Sequence, residues 1–222
     1  MLKKIRLLFV MFSVVFLSSC NREKLTIYEV DYTDVGMTFG ELPSTSNKNV
    51  LLTCSAAFTA TLKTKFSYNN INGVVINKGK RYNGVMKKYG MFAFINKKAY
   101  FTEYPSTKLI KKAVANKGTL FQQLPIIING KTCKLRQKRN ARHQYRALCE
   151  RNNRLFVAEA SYRMQYIDFV QALEKQKVDN AIYLDVGYGW DRAWYRDKKG
   201  KVKWIFKSHR SDYPTNFITF YK

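Results

Sequence analysis

The sequence has few of the residues that build metal and disulfide sites. Among its 222 residues there are two histidines, His143 and His209, and four cysteines. A structural zinc site of the Cys/His type needs four such ligands at close spacing, and no such spacing is present. We therefore predict no cofactor, and we leave open a divalent metal held in another way.

Cysteine usage also limits cross-linking. If Cys20 is modified, as argued below, Cys54, Cys133 and Cys149 remain. An odd number allows at most one disulfide within the chain. Buried thiols are the simpler interpretation for all three.

Acidic residues are scarce as well. The chain has 15 Asp and Glu against 40 Lys and Arg, which gives a formal net charge of +25 at pH 7. A field of this sign attracts anionic partners and makes their binding sensitive to salt. Composition alone does not identify the anion.

An apolar run long enough to cross a bilayer is missing from the N-terminus. Lys3, Lys4 and Arg6 precede a predominantly apolar run of eleven residues, 7–17. This arrangement is typical of a signal peptide rather than a spanning helix. The run ends in Leu17-Ser-Ser-Cys20, which resembles the bacterial lipobox, in which the cysteine is lipidated and becomes the mature N-terminus.

These features predict a protein that is lipid-anchored in the bacterial cell envelope. Residues 1–19 are the predicted signal peptide, and the membrane is a partner through a lipid on Cys20. The alternatives are an uncleaved anchor or a plain secretory signal. Since such a protein lies outside the cytoplasm, nucleic acid is not expected as a partner despite the charge.

The rest of the chain predicts one domain after a short leader. Residues 20–49 are polar and indicate a tether with one or two opening strands, and residues 50–222 form the domain. Many short apolar runs bounded by turn residues predict strands. Apolar spacing predicts helices over 108–115, capped by Ser106 or Thr107 and closed by Gly118, and over 166–177. The predicted fold class is α+β: a mixed strand-rich sheet with two main helices in a single domain.

Residues 180–197 contain a candidate acid at the end of a predicted strand. An apolar run from Ala181 to Leu184 ends on Asp185, and a loop with Gly187 and Gly189 follows. A strand that delivers an acid to a loop is a common way to build a site. The competing interpretation is that Asp185 is only a strand-end turn residue.

A basic segment supplies candidate cations. Residues 134–146 hold seven basic side chains, among them Arg142, His143 and Arg146. Its first half is typical of a solvated loop. Arg146 opens an apolar strand, and an Arg in that position needs an acidic or anionic partner.

Several ordered motifs resemble the phosphodiester glycosidase family. They are Gln122-x-x-Pro125 with the Asn129-Gly-Lys131 turn, Arg146-Ala-Leu-Cys149, Leu155-Phe-Val157, residues 167–173, and Asn180-Ala-Ile-Tyr-Leu-Asp185-x-Gly187. The resemblance covers roughly residues 50–221 and depends on order and spacing together.

The resemblance implies an α+β hydrolase that cleaves a sugar from a phosphodiester or related anionic glycan. On this basis the catalytic residues are Asp185 and Arg146, and the substrate-binding residues include Gln122 and Gly187. The chain departs from the family pattern where Val186 and Leu124 replace glycines. Ser55-Ala-Ala-Phe-Thr59 stands where the family has an Asn-Gly-Gly-Phe-Phe element.

The residues beyond these motifs leave several roles open. Glycoside hydrolysis usually needs a second carboxylate, for which Asp191, Asp197 and Glu159 are candidates. Substrate-binding candidates from the basic segment and the aromatic loop are Arg142, His143, Trp190 and Arg192; Tyr188 and Trp194 are further aromatic candidates, and each aromatic is as well explained by packing.

Three functions fit the sequence. The first is a lipoprotein hydrolase, and the second is a non-catalytic lipoprotein that binds an anionic glycan on the same fold. The third is a structural envelope protein whose charge contacts surface polymers.

Overall fold

The structure is a computed structural model, and it describes residues 24–134, 141–187, 189, 191–207 and 213–222. The predicted signal peptide and Cys20 lie outside these residues. No helix in the described ranges is both long enough and apolar enough to cross a membrane.

Strands make up most of the regular structure. In chain order they are β1 (Leu25–Tyr28), β2 (Asp34–Gly40), β3 (Val50–Ser55), β4 (Val75–Asn77), β5 (Lys80–Tyr82), β6 (Gly90–Ile95), β7 (Lys98–Thr102), β8 (Thr119–Gln123), β9 (Pro125–Ile128), β10 (Lys131–Thr132), β11 (Arg142–His143), β12 (Arg146–Arg151), β13 (Arg154–Ala160), β14 (Met164–Gln165), β15 (Asn180–Leu184), β16 (Ala193–Arg196), β17 (Val202–Phe206) and β18 (Thr215–Tyr221).

The two predicted helices are present with adjusted ends. Helix α1 spans Thr107–Ala115, and Ser106 caps it by accepting a hydrogen bond from Leu109 N. Its end differs from the prediction, because Lys117, with a φ of 52°, takes the left-handed conformation expected of Gly118. Gly118 is needed for another reason: a Cβ there would lie 2.8 Å from Ile95 Cγ1. Helix α2 spans Tyr166–Lys175.

The strands form three main sheets and one two-stranded sheet, and every recorded pairing in the described residues is antiparallel. Sheet 1 has the order β1-β13-β12-β15-β9-β10, sheet 2 the order β17-β16-β3-β18-β2, and sheet 3 the order β5-β4-β8-β6-β7. Strands β11 and β14 pair with each other.

Alternation along the strands places the core between the sheets. In β12, Leu148 faces the largest hydrophobic cluster, which includes side chains from all three sheets, while Ala147 and Cys149 face the cluster under α2. In β6, Phe92 faces the shared cluster and Met91 faces α1. Each helix therefore covers the outer face of one sheet, α2 on sheet 1 and α1 on sheet 3.

The predicted α+β fold class is wrong. Strands account for 46% of the described residues and helices for 12%, and the antiparallel sheets make the fold mostly a β-sandwich. The sequence hides this because several strands have only two to four residues and lie in polar segments, such as β5 and β11. Strands that short show too little alternation to be recognised.

The segment predicted to hold a tether and one or two opening strands contributes two strands, β1 and β2. β1 pairs with β13 along the edge of sheet 1, and β2 pairs with β18 over seven residues. The structure therefore includes these residues in the sandwich.

Tight turns and long loops lie at different ends of the sheets. At the end that we call the turn end, four two-residue turns have positive φ at both positions, which suits the right-handed twist of hairpins; they are Lys78-Gly79, Asn96-Lys97, Asn129-Gly130 and Asn152-Asn153. At the opposite end, the loop end, lie the connections 56–74, 83–89, 141–145, 161–163 and 185–192.

Candidate functional site

A cavity at the loop end brings together four of the predicted catalytic and substrate-binding residues. Its volume is about 700 Å³, and it is lined by Phe58, His143, Gln144, Tyr145, Arg146, Glu159, Arg163, Tyr183, Asp185, Val186, Gly187, Asp191 and Phe206. Strand register explains the convergence, because Arg146 lies opposite Glu159 on one side and Leu184 on the other. The start of β12 and the ends of β13 and β15 therefore lie side by side at the loop end of sheet 1.

Asp185 is held firmly by the backbone. Its side chain, which is 4% exposed, accepts hydrogen bonds from Thr59 N to Oδ2 at 3.0 Å and from Gly187 N to Oδ1 at 2.9 Å. These two backbone donors fix the position of the carboxylate at the end of β15.

The segment 55–59 builds the other side of the Asp185 position. Asp185 N donates to Ala56 O at 3.1 Å, and the Ser55 hydroxyl donates to Asp185 O. Gly187 contributes its N–H to the same carboxylate. The segment that stands where the family has Asn-Gly-Gly-Phe-Phe therefore lies at the site, although its glycines are absent.

Arg146 is a buried cation with an internal partner. The guanidinium is 1% exposed, and its Nη2 lies 3.3 Å from both carboxylate oxygens of Glu159. It also donates to Asp191 O at 3.2 Å. Burial by itself lowers the pKa of Arg146, but the Glu159 carboxylate outweighs that effect and holds the pKa above its usual value, so the side chain stays charged.

Two polar atoms in this region lack hydrogen-bond partners. Within the described residues, Arg146 Nε and Asp191 Oδ1 are buried and unpaired. Buried polar groups are nearly always hydrogen-bonded, so such exceptions call for an explanation. Both residues line the cavity, which is consistent with a polar ligand that completes their bonding.

Asp191 differs electrostatically from an ordinary surface carboxyl. Burial raises the pKa of Asp191 above its usual value, although a backbone hydrogen bond and the nearby Arg146 act in the opposite direction. Burial, with Asp185 nearby, also raises the pKa of Tyr183 and of Tyr89. The tyrosines therefore remain neutral hydroxyls near the charged groups.

Other predicted site residues lie elsewhere or contribute differently. Gln122 is fully buried and outside the cavity: Oε1 accepts from Val74 N and Met86 N, and Nε2 donates to Met86 O. It holds the 83–89 loop in place. Arg142 is exposed in β11 and is not among the lining residues, whereas its neighbour His143 is.

Arg192 and Trp194, from the segment that follows Asp185, lie in different regions of the structure. Arg192 lines an adjacent cavity of about 490 Å³, where its guanidinium lies 5.1 Å from the centre of the Trp204 ring. Trp194 is fully buried and donates to Pro43 O, so it belongs to the core. Trp190 and Tyr188 lie outside the described residues.

The structure also sorts the candidate carboxylates. Glu159 and Asp191 line the cavity with Asp185, whereas Asp197 closes a turn at the turn end by accepting from Lys199 N and Lys201 N. Sequence reasoning missed Gln144, Arg163 and Phe206. These residues belong to no sequence motif, since only the folded structure places the ends of β13, β14 and β17 beside the cavity.

Metal-binding and thiol chemistry are not prominent in the described ranges. No group of three His, Cys, Asp or Glu side chains there could hold a metal ion. Cys54, Cys133 and Cys149 are buried as thiols, and burial raises the pKa of Cys54 to about 12.

The fold has counterparts among solved structures. The fold is similar to the catalytic domain of zebrafish N-acetylglucosamine-1-phosphodiester α-N-acetylglucosaminidase, auto-inhibited by its pro-peptide, with a TM-score of 0.57 and 14% identity over 91% of this chain and 85% of that one. A hypothetical protein from Synechocystis has a TM-score of 0.54 and 11% identity over 90% of this chain and 57% of that one. No family model and no curated protein match the sequence. At these identities the likeness establishes a shared fold.

Proposed function

We propose that this protein is a hydrolase that cleaves a sugar from a glycosyl phosphodiester or a related anionic glycan. The observation that carries the proposal is the meeting of Asp185, Glu159, Asp191 and Arg146 at one cavity. The shared fold with a phosphodiester glycosidase catalytic domain supports it.

The carboxylates suit different roles in glycoside hydrolysis. Such enzymes use one carboxyl group to assist attack at the anomeric carbon and another to protonate the leaving oxygen. Asp185, fixed by two N–H donors, suits the first role. Asp191 suits the second, because burial raises its pKa and Oδ1 is unpaired.

In the proposed reaction water attacks the anomeric carbon and the bond from that carbon to the phosphodiester oxygen breaks. The Asp185 carboxylate accepts a proton from the attacking water, and the leaving oxygen either takes up a proton from Asp191 or departs as the anion. The products are the free sugar and a phosphate monoester. A phosphate is a good leaving group, so the acid contributes less than in ordinary glycosides.

Cations at the cavity match an anionic substrate. Arg163 and the buried Arg146 line it, together with His143. Guanidinium groups bind phosphate oxygens through paired hydrogen bonds. Glu159 neutralises part of the Arg146 charge, so Arg163 is the arginine with the larger share in phosphate binding.

A second candidate function is non-catalytic binding of an anionic glycan. The observation in its favour is Val186, which lines the cavity where the family has a glycine. A side chain there removes the close backbone approach that a glycine permits. The cavity nevertheless has a volume of about 700 Å³, which favours the hydrolase.

The experiment is turnover of a panel of glycosyl phosphodiesters by the purified full-length chain. We expect Asp185→Asn to lower turnover by at least about a hundredfold, as for loss of a catalytic carboxylate. Asp197→Asn is the matched control, since it makes the same change at a carboxylate outside the cavity. Turnover of Asp185→Asn equal to that of the wild type would exclude Asp185 from the reaction, and glycan binding without turnover by the wild type would favour the second function.

Lipid anchoring in the cell envelope is a separate proposal. It is supported by the sequence at Cys20. Mass spectrometry of the mature N-terminal peptide tests it: a diacylglyceryl adduct on Cys20, absent from a Cys20→Ser variant, is the expected result. An unmodified Cys20 would refute it.

A further inference from the structure

Exposed hydrophobic side chains are concentrated at the loop end, which holds the cavity. Six large hydrophobic residues are exposed in the described part of the chain, and five of them, Leu62, Val85, Met86, Tyr104 and Phe206, lie at this end. Phe206 lines the cavity, and Leu62 Cδ2 lies 2.6 Å from the position that a Cβ would take at Gly189, a residue that lines the adjacent cavity. Clustered exposed apolar groups mark interaction surfaces, whereas scattered ones are ordinary.

The loop that carries Val85 and Met86 reaches the same cavity. Tyr89 N donates to Met86 O at 3.2 Å, and the Tyr89 ring lies 5.8 Å from the ring of Phe58, a lining residue. Gln122 fixes this loop through both main-chain groups of Met86. The exposed side chains are therefore held in place on anchored loops.

Lysines flank these hydrophobic residues in the sequence. Lys63 follows Leu62, Lys87 and Lys88 follow Met86, and Lys207 follows Phe206, all of them exposed. Apolar side chains beside lysines are typical of segments that lie in the interface of an anionic membrane, where the apolar groups enter the acyl boundary and the lysines meet the headgroups.

The chain also enters the fold at this end. Leu25 pairs with Ala160, Thr26 pairs with Glu159, and Ser161 N donates to Lys24 O. Cys20 precedes Lys24 by four residues, and a chain of that length spans at most about 14 Å. A lipid on Cys20, as predicted, would hold the loop end close to the bilayer.

We propose that the loop end binds the surface of an anionic phospholipid bilayer through these side chains, so that the cavity opens toward the membrane. The exposed apolar groups provide insertion and the lysines provide charge complementarity. The proposal does not depend on hydrolase activity. Substrates carried in the membrane would then reach the cavity directly.

The test places a fluorescent reporter on single positions of the full-length chain. Leu62→Cys and Met86→Cys are labelled with an environment-sensitive fluorophore and reconstituted into vesicles of phosphatidylglycerol and phosphatidylcholine that contain a spin-labelled lipid quencher. Val114→Cys is the matched control, because Val114 is 41% exposed, against 42% for Leu62, but lies near the turn end. Wild-type protein, with Cys54, Cys133 and Cys149 buried, gives the labelling background.

We expect quenching at positions 62 and 86 to exceed that at position 114 by roughly threefold or more, since only inserted groups meet the acyl boundary. In the Met86→Cys background, Lys87→Glu with Lys88→Glu should reduce quenching to the level at position 114. Lys97→Glu with Lys117→Glu, the same charge change at the turn end, should leave it unchanged.

Equal quenching at positions 62 and 114 would overturn the proposal, as would quenching that both lysine pairs affect alike. Absence of lipid quenching at positions 62 and 86 would also overturn it and would assign the surface to a protein partner.

Discussion

Replacing Arg146 by Met tests whether this residue stabilises the fold. The guanidinium is buried, and it pairs with Glu159, whose side chain is also buried. Removing one partner of a buried ion pair leaves the other charge uncompensated, which typically costs about 3–5 kcal/mol. The loss of hydrogen bonds to Asp191 O adds to this, so we expect the upper part of that range.

The measurement is the free energy of unfolding from urea titration, in a double-mutant cycle with Glu159→Gln. The double variant should recover about 2 kcal/mol or more of the loss from Arg146→Met, because no buried charge is then left unpaired. Arg154→Met is the control, since its pair with Asp31 is exposed and should contribute less than about 1 kcal/mol.

An unfolding free energy for Arg146→Met within about 1 kcal/mol of the wild type would refute this reasoning. A double variant no more stable than Arg146→Met would refute the pairing with Glu159. If stability is unchanged but turnover falls, Arg146 acts on the substrate alone, and the catalytic role inferred from the resemblance would be the whole of its function.

Three further predictions concern other parts of the structure. Burial raises the pKa of Asp191, so the folded state holds its proton more tightly than the unfolded state does, and the stability that this group contributes falls as pH rises from about 4 through the raised pKa. Asp191→Asn should therefore be more stable than the wild type at pH 7, and the difference should vanish at pH 3. Urea titrations at the two pH values measure this. Gly73→Ala should lower the unfolding free energy more than Gly40→Ala does in the same titration. The two φ values, 89° and 90°, are alike, but only at Gly73 would a Cβ lie 2.9 Å from Gln122 Cβ. Equal losses would mean that backbone strain alone, about 1–2 kcal/mol, explains both. Cys54, with its pKa raised to about 12, should resist a thiol reagent at pH 8 in the folded protein and react once urea unfolds it.

The local structure could be predicted where turn chemistry is strong. Asn129-Gly130 and Asn152-Asn153 were recognisable hairpin turns, because Asn and Gly tolerate positive φ. The helix α1 was recognisable from its cap at Ser106 and its apolar face. These signals are local, so a sequence displays them directly.

The sheet architecture could not be predicted in the same way. β11 is two exposed residues that become a strand only by pairing with β14, and β16 owes its place to β3, far earlier in the chain. Pairing of this kind depends on tertiary context rather than on local propensity. The fold class was therefore wrong although the helices were right.

The site shows the same division. Asp185 and Arg146 stood out because each lies at an end of an apolar strand, and the structure brings them to one cavity with two of the three candidate second carboxylates. Gln122 stood out through the resemblance alone, and its amide is occupied by the main chain of another loop. Backbone donors such as Thr59 N have no sequence signal, because every residue but proline has an N–H.

The position of β18 has a consequence for how the protein folds. This strand lies between β2 and β3, which do not pair with each other, and it joins residues far apart: Thr53 bonds to Thr219 across 166 residues. Sheet 2 therefore cannot close until nearly the whole chain is available, and contacts of such long range slow folding. Until then β2 and β3 expose unpaired edges that invite association with other chains. In this strand order, the pairing that completes the centre of sheet 2 waits for the last strand of the chain.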